Sequence, residues 1–283
     1  MWPLEKLPLS DLWPKLAEIP EPPAYMWVRG TLPPPETKLV TIVGSRRMSQ
    51  YGKDACEHLI AGLADYPVAI VSGMALGIDG VAHRAAMKYG LPTIAFPGSG
   101  LNDASLYPAS HKALARMILE SGGALVSEFP PEEKGRLHYF PQRNRIMVGV
   151  SDAVVVVEAG VRSGTLITAR LASDYGRDLL CVPHSIFSEG GAGGHIFMKL
   201  GAGPARSASD ILEAIGIVEE KNLELMSLTS EEEEVLGILA EPLTRDELIR
   251  ELNIPTGEAN VLLAQMELRG LIAESLGSIR KLV

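Results

Sequence analysis

Residues 41–52 read TIVGSRRMSQYG. A β-branched apolar run ends at Gly44, which is how a dinucleotide-binding strand enters its first turn. The dinucleotide fingerprint would go on supplying glycines so that backbone can touch a pyrophosphate. This sequence supplies Ser45, Arg46 and Arg47 instead. Two guanidinium groups at that turn suit a phosphate held by charge as well as by backbone N–H groups.

Outward from this turn, short apolar runs recur: LVTIV, VAIVS, TIAF, ALVSE, AVVVV and DLLCV. Helical periodicity separates them near residues 49–64, 78–89, 109–121, 140–149 and 164–175. Strands apolar on both faces and alternating with helices predict a parallel sheet covered on both sides. The expectation is a Rossmann-like, doubly wound α/β domain over 38–216, with its ligand crevice outside the carboxyl ends of the strands.

Ahead of that domain, nine of the 20 prolines fall in residues 1–37, densest in IPEPP and LPPPE. That segment is expected to be an extended lead-in packed on the core, with at most one short helix. Residues 217–228 read as a linker. Residues 229–283 predict three helices and a hairpin, a winged helix. Its helix starts are placed by capping-box spacing at Ser230/Glu233 and Thr244/Glu247.

The 46% hydrophobic content is enough for a real core. Cys56 and Cys181 form no CxxC pair and no disulfide framework, which suits a reducing cytoplasm. The prolines and charges of MWPLEKLPLSDLW argue against a leader, and no apolar run reaches the ~18 residues of a membrane span. The net charge of −9 is unevenly spread. Residues 1–37 carry 3 basic and 5 acidic side chains, residues 38–216 carry 17 and 16, and residues 217–283 carry 6 and 14. The middle domain can therefore present a local basic stripe.

Along the predicted carboxyl edge the turns are GSRR, SGMALGIDGVAH with Gly73, PGSGL and EAGVRSGT. Helix N-termini bind anions through free N–H groups, and Ser45, Arg46, Arg47, Arg162, Ser163, Gly164 and Thr165 add donors at the same edge. FPQRNR adds Phe140, Arg143, Asn144 and Arg145, guanidinium groups beside a ring on which a base can stack. On GSRR alone, structural turn and phosphate site both stand; the conjunction of turns favours the site. The six histidines show no zinc spacing, so no metal or other cofactor is expected. Asp79 and His83 read either as an acid/base pair or as a helix-capping Asp beside an uninvolved His. Neither a GxSxG elbow nor a GxxxxGK[ST] loop is present.

The strings WPKLAEIPEPPAYMWVRG, VGSRR, SGMALGIDGVAHRAA and FPQRNRIMVGVSDAVVVVEAGVRSGTLITARLA resemble the DNA-processing protein A (DprA/Smf) family over nearly the whole sequence. FPxRNR and SGTLITAR in this order are its most specific elements. The resemblance implies a non-enzymatic protein that binds and protects single-stranded DNA and helps the RecA recombinase load during DNA uptake. It also implies a homodimer; the lack of a membrane-length apolar run is what predicts no membrane partner. Arg46, Phe140, Arg143, Asn144, Arg145, Ser163, Gly164 and Thr165 stand at the family's nucleotide pocket. Two departures appear. His184 in CVPHSI replaces a glycine and is followed by SEGGAGGHIF, and many members carry a small helical domain before the region that resembles residues 13–30.

The competing reading is a nucleoside monophosphate phosphoribohydrolase on a related fold. Those enzymes carry PGGxGTxxE, and here Thr168 stands where the glutamate would; a hydroxyl cannot replace it in cleaving a glycosidic bond. A third reading makes the winged helix a duplex-DNA reader. Residues 256–269 carry Glu258, Glu267 and Arg269, so that helix is not basic. A protein-contact or regulatory role is expected for it.

Overall fold

The computed structural model describes residues 2–161, 163–217, 228–239, 241–252, 254–268, 271–275 and 277–281. The chain divides into two compact units, Met1–Glu219 and Glu220–Val283.

In chain order the first unit contains β1 (Leu4–Pro8), β2 (Tyr25–Gly30), β3 (Lys38–Gly44), α1 (Gln50–Ala61), β4 (Val68–Ser72), α2 (Ile78–Lys88), β5 (Thr93–Ala95), α3 (Lys112–Glu120) and β6 (Ala124–Ser127). It continues with α4 (Tyr139–Val150), β7 (Ala153–Glu158), α5 (Thr165–Asp174), β8 (Asp178–Cys181), α6 (Ala192–Lys199), β9 (Gly203–Pro204) and α7 (Ala208–Ala214). Among the described residues these strands form one sheet in the order β1-β2-β6-β5-β4-β3-β7-β8-β9. The pairs from β6 through β9 are parallel, whereas β1 and β2 join antiparallel. The chain winds outward from β3 in one direction and resumes at β7 in the other, so the topological switch point lies between β3 and β7. Such a switch point opens a crevice, because the connections on its two sides leave toward opposite faces.

Strand alternation divides the core. Val40, Ile42, Val68, Ile70, Val155 and Val157 face a layer built from Cys56, Leu59 and Ile60 of α1, Val81 and Ala85 of α2, and Ile211 and Leu212 of α7. Leu39, Val43, Ala69, Val71, Val154 and Val156 face Ile146, Met147 and Val150 of α4 with Ala169 and Ala172 of α5. Thr41 falls on this second face, and its hydroxyl is paired with that of Ser151. Cys56 and Cys181 are buried free thiols. Burial pushes both thiols up from their ordinary values, as it does for a group whose charged form loses water.

The proline-rich lead-in contributes more than an extended packing segment. Its two strands extend the sheet, with Met26 and Val28 of β2 buried at period-two spacing. Between those strands, Leu16 and Ile19 lie over α4, where a Cβ on Gly149 would come 2.8 Å from Ile19. Lys15 pairs with Asp152, and Arg177 donates to the Lys15, Gly149 and Glu18 oxygens.

The second unit contains α8 (Ser230–Ile238), α9 (Arg245–Glu251), α10 (Thr256–Leu268) and the hairpin β10 (Ile272–Ser275) with β11 (Ser278–Lys281). Its core joins Val235, Leu248, Leu263, Met266 and Ile279. The Thr244/Glu247 capping box forms as expected. The first box is made by Thr229 and Glu232, one residue before Ser230 and Glu233. Thr229 is the better cap because its extended backbone turns the hydroxyl onto the Glu232 N–H at 3.2 Å. Residues 218–227 of the expected linker lie outside the described residues.

Asp152 joins three elements, accepting from Lys15, from Lys38 and from the Leu39 N–H at 2.9 Å. Burial pushes its carboxyl up, but these bonds and the two lysine charges outweigh burial, and the net shift is downward. Its contribution is therefore present above the unfolded value of about pH 4 and is lost as pH falls through the folded value. Asp152→Asn is expected to destabilise the first unit by about 1–2 kcal/mol at neutral pH. Thermal melts of both proteins across pH 3 to 7 check this, and the gap should close at the acid end.

Candidate nucleic-acid interface

The crevice at the switch point is a cleft of about 750 Å³. Its walls are the turn after β3 (Ser45, Arg46, Arg47), the start of α4 (Phe140, Asn144) and the turn into α5 (Ser163, Gly164, Thr165). The sequence expectation brought these residues together, and so does the fold. Arg162 lies outside the described residues.

Local geometry explains the first turn. A bulge between Val43 and Gly44 shifts the register of the β3–β7 pairing, so that its last pair is Gly44 with Glu158. A Cβ on Gly44 would lie 2.6 Å from Ile78, so the turn lies directly on α2. Gly77, at φ +79°, lets the Ser45 carbonyl accept from the Ile78 N–H at 3.2 Å; a Cβ there would lie 2.1 Å from that oxygen. Ser45 Oγ accepts from the Arg47 N–H at 3.1 Å, which closes the turn and leaves both arginine side chains exposed. Among the described residues, no carboxylate lies within ion-pair distance of Arg46 or Arg47. Arg46 lies 5.3 Å from the centroid of the Phe140 ring, a cation–π contact that holds its charge at the cleft wall.

Across the cleft, Ser163 Oγ accepts from the Thr165 N–H at 3.2 Å and donates to Thr165 Oγ1 at 3.0 Å. The N-terminus of α5 is thereby turned into the cleft with its dipole positive toward it. The glycine-rich stretch after His184 supports this loop. Ala159 N–H donates to Gly190 O at 2.7 Å, and Gly193 N–H donates to Ala159 O at 2.8 Å. His184 packs its ring 4.9 Å from Tyr51, and a Cβ on Gly191 would lie 2.3 Å from its own Cβ. The histidine and the glycines thus fit one another.

Three residues expected to meet DNA have other engagements. Arg143 is buried: Nη1 donates to the Gly73 and Phe96 carbonyls, and Nε donates to Asn144 Oδ1 at 3.0 Å. Burial pushes its pKa down to about 10, with the Asp79 charge opposing, so it stays cationic at neutral pH. Gly73 is placed by this contact, since a Cβ there would lie 2.2 Å from Arg143 Nη1. Its N–H is also taken, by Asp79 Oδ2 at 3.1 Å. Arg145 does not line the cleft; it pairs with Glu128 and donates to the Glu21 carbonyl at 2.8 Å. The physical reason is helical spacing, because residues two apart point to opposite sides of a helix.

Asp79 and His83 form neither pair nor cap. Asp79 Oδ2 accepts from the N–H groups of Gly73 and Ala75, closing the turn after β4. Burial pushes its carboxyl up, against the Arg143 charge and those two bonds. His83 instead meets Thr93 Oγ1 at 2.7 Å, and burial, with His111 and Arg143 adding, pushes its pKa down to about 3. The cleft lining also includes Met147, which no motif singled out, and Thr168. Thr168 is buried and presents a hydroxyl where the hydrolase reading needs a carboxylate. Among the described residues no three His, Cys, Asp or Glu side chains converge as metal donors.

Fold and site define a Rossmann-like α/β protein with a cationic cleft at its switch point. Residues 7–216 match the sequence model of DNA recombination-mediator protein A, and residues 219–277 match that of the DprA winged helix domain. Protein Smf of Escherichia coli is 42% identical over 200 residues, 71% of this chain and 53% of that protein. DNA processing protein DprA of Streptococcus pneumoniae is 39% identical over 205 residues, 72% of this chain and 71% of that one. The X-ray structure of Streptococcus pneumoniae DprA superposes with a TM-score of 0.70 at 36% identity, covering 74% of each chain. DNA processing protein A of Helicobacter pylori, whose structure addresses its single-stranded DNA binding mode, has the same fold, with a TM-score of 0.65 at 24% identity over 75% of this chain and 95% of that one. The chain belongs to the DprA/Smf family. It spans about half the length of the first of these relatives.

Two glycine substitutions separate folding from binding. Gly73→Ala must displace the buried Arg143 guanidinium and should cost about 1–3 kcal/mol, read as a lowered denaturant midpoint. A Cβ on Gly164 meets nothing within 4 Å, and its φ is −60°. Gly164→Ala should therefore leave stability within about 0.5 kcal/mol of the parent, while the methyl group enters the cleft and weakens anion binding there.

Proposed function

We propose that this protein binds single-stranded DNA in the cleft between the β3 and β7 turns and acts in DNA processing during DNA uptake and recombination. The observation that carries the reading is the pair Arg46 and Arg47, exposed and, among the described residues, without carboxylate partners, beside an accessible aromatic ring and the N-terminus of α5. A single strand offers phosphates to the first and last of these and an unpaired base face to the ring. A duplex keeps its base faces stacked inside. The domain that does this is residues 38–216, with 1–37 as its packed lead-in and 217–228 as a linker.

On this reading the protein protects incoming DNA and helps the RecA recombinase load, as a homodimer whose two clefts extend the track. It performs no catalysis, and a cleft with Thr168 in place of the hydrolytic glutamate suits a binder. Incubation with nucleoside monophosphates should release no free base. Residues 229–283 serve as a protein-contact or regulatory module. Within that unit Arg245 is held by Glu267 and Glu274, which leaves less positive charge for a phosphate. Arg269 lies outside the described residues.

Arg46→Glu is expected to weaken oligothymidylate binding by at least about tenfold at low salt, since it removes one phosphate contact and adds repulsion. Fluorescence anisotropy checks this, and parent-like affinity would contradict the pocket. The same titration should show the parent preferring single-stranded to duplex DNA at two salt concentrations. Removal of residues 220–283 should leave most single-strand affinity in place; its complete loss would move the site to the winged helix.

A further inference from the structure

The aromatic wall of the cleft has a second ring beyond it. Tyr107 lies in the carboxyl-edge loop that follows β5, with its ring centroid 5.3 Å from that of Phe140 and the two planes inclined by 37°. It is 44% exposed. A lone exposed tyrosine needs no explanation, but this one is seated. Its N–H donates to Ser99 Oγ at 3.2 Å, and a Cβ on Gly135 would lie 3.0 Å from its own Cβ. A Cβ on Gly98 would lie 2.5 Å from Phe140 Cδ1. Glycines therefore make room for both rings.

Beside the rings is a recess of about 40 Å³ whose lining includes Arg46, Leu76, Tyr107 and Phe140. Ligand pockets are usually larger than about 300 Å³, so a whole nucleoside does not enter it. Contact with a base is left to the outward faces of the rings. Phe140 and Arg46 also line the main cleft, whereas Tyr107 does not. Leaving the cleft, the order is cation, ring, ring.

We propose that Tyr107 is a second stacking step for single-stranded DNA, taking the base adjacent to the one that Phe140 takes. The proposal rests on the reading of the cleft as a single-strand site. Neighbouring nucleotides rise about 3.4 Å along a stacked strand; the step from the outward face of one ring to that of the other exceeds the 5.3 Å between their centroids, so the two bases are taken from a splayed strand, unstacked from one another. The 37° inclination keeps any one base from lying parallel to both rings, so each ring takes its own. Arg46, common to cleft and recess, stands beside the phosphate that joins the two nucleotides. Stacking of this kind accepts every base and adds affinity without sequence preference.

The test uses the full chain and an oligothymidylate of about 16 nucleotides, a length within the range one single-strand-binding fold covers. Tyr107→Ala should weaken binding by roughly 5- to 100-fold, the size of one base–aromatic stack, with an unchanged melting temperature. Tyr107→Phe should bind like the parent, and thymidine monophosphate should bind Tyr107→Ala as it binds the parent. In the parent, photo-crosslinking of the same oligonucleotide carrying 5-iodouracil should give adducts on both Tyr107 and Phe140. Parent-like binding by Tyr107→Ala, or adducts on Phe140 with none on Tyr107, overturns the second step and leaves the cleft reading intact. A parent protein that fails to bind the oligonucleotide overturns both.

Discussion

The guanidinium of Arg143 reaches out of α4 to the carbonyls that follow β4 and β5, and the carboxyl edge of the sheet takes its shape around it. A buried cation is tolerated only when its donors are used and a counter-charge is near. Gly73, Phe96 and Asn144 take the donors, and Asp79 supplies the nearby charge. Asp79 in turn fixes the two N–H groups of the same turn. Met74, held at φ +57° with its carbonyl 2.9 Å from His111 Nδ1, completes a turn that few non-glycine residues would adopt. This polar knot is the rigid floor on which the exposed arginines of the β3 turn are displayed.

The positions of the carboxylates explain how an acidic protein presents a cationic cleft. Glu128 is used by Arg145, Asp152 by Lys15 and Lys38, and Asp103 by Arg29, all away from the cleft. Asp79 is opposed by the cation it neighbours. Most of the chain's excess acid falls in residues 220–283, the second unit. At physiological salt, charges more than about 8 Å apart across solvent are largely screened. Within the first unit, the field a phosphate meets at the cleft is then set by Arg46, Arg47 and the α5 N-terminus more than by the distant paired carboxylates.

Much of this was legible in the residues. Runs such as AVVVV, apolar on both faces, gave the parallel sheet, and the glycine turns with GSRR and SGT gave the cleft and its two walls. The spacing in RNR carries a further signal: residues two apart on a helix diverge, so Arg143 and Arg145 cannot both reach one groove. Which of them would be buried was not legible, because that depends on carbonyls 70 and 47 residues away in sequence. The strands of the lead-in were masked by prolines, although Met26 and Val28 of AYMWVRG do alternate with Tyr25 and Trp27. Tyr107 stood in a carboxyl-edge loop without any motif around it, and only the fold sets it beside Phe140.

The central claim is a division of labour: one arginine buried as a structural pin, another left free for the ligand. A crystal structure of the protein with a short oligothymidylate bound tests it most directly. A phosphate within hydrogen-bond distance of Arg46 and the α5 N-terminus, with Arg143 still on the Gly73 and Phe96 carbonyls, is the expected result. An Arg143 guanidinium swung out onto a phosphate, or a strand bound elsewhere on the surface, would contradict it.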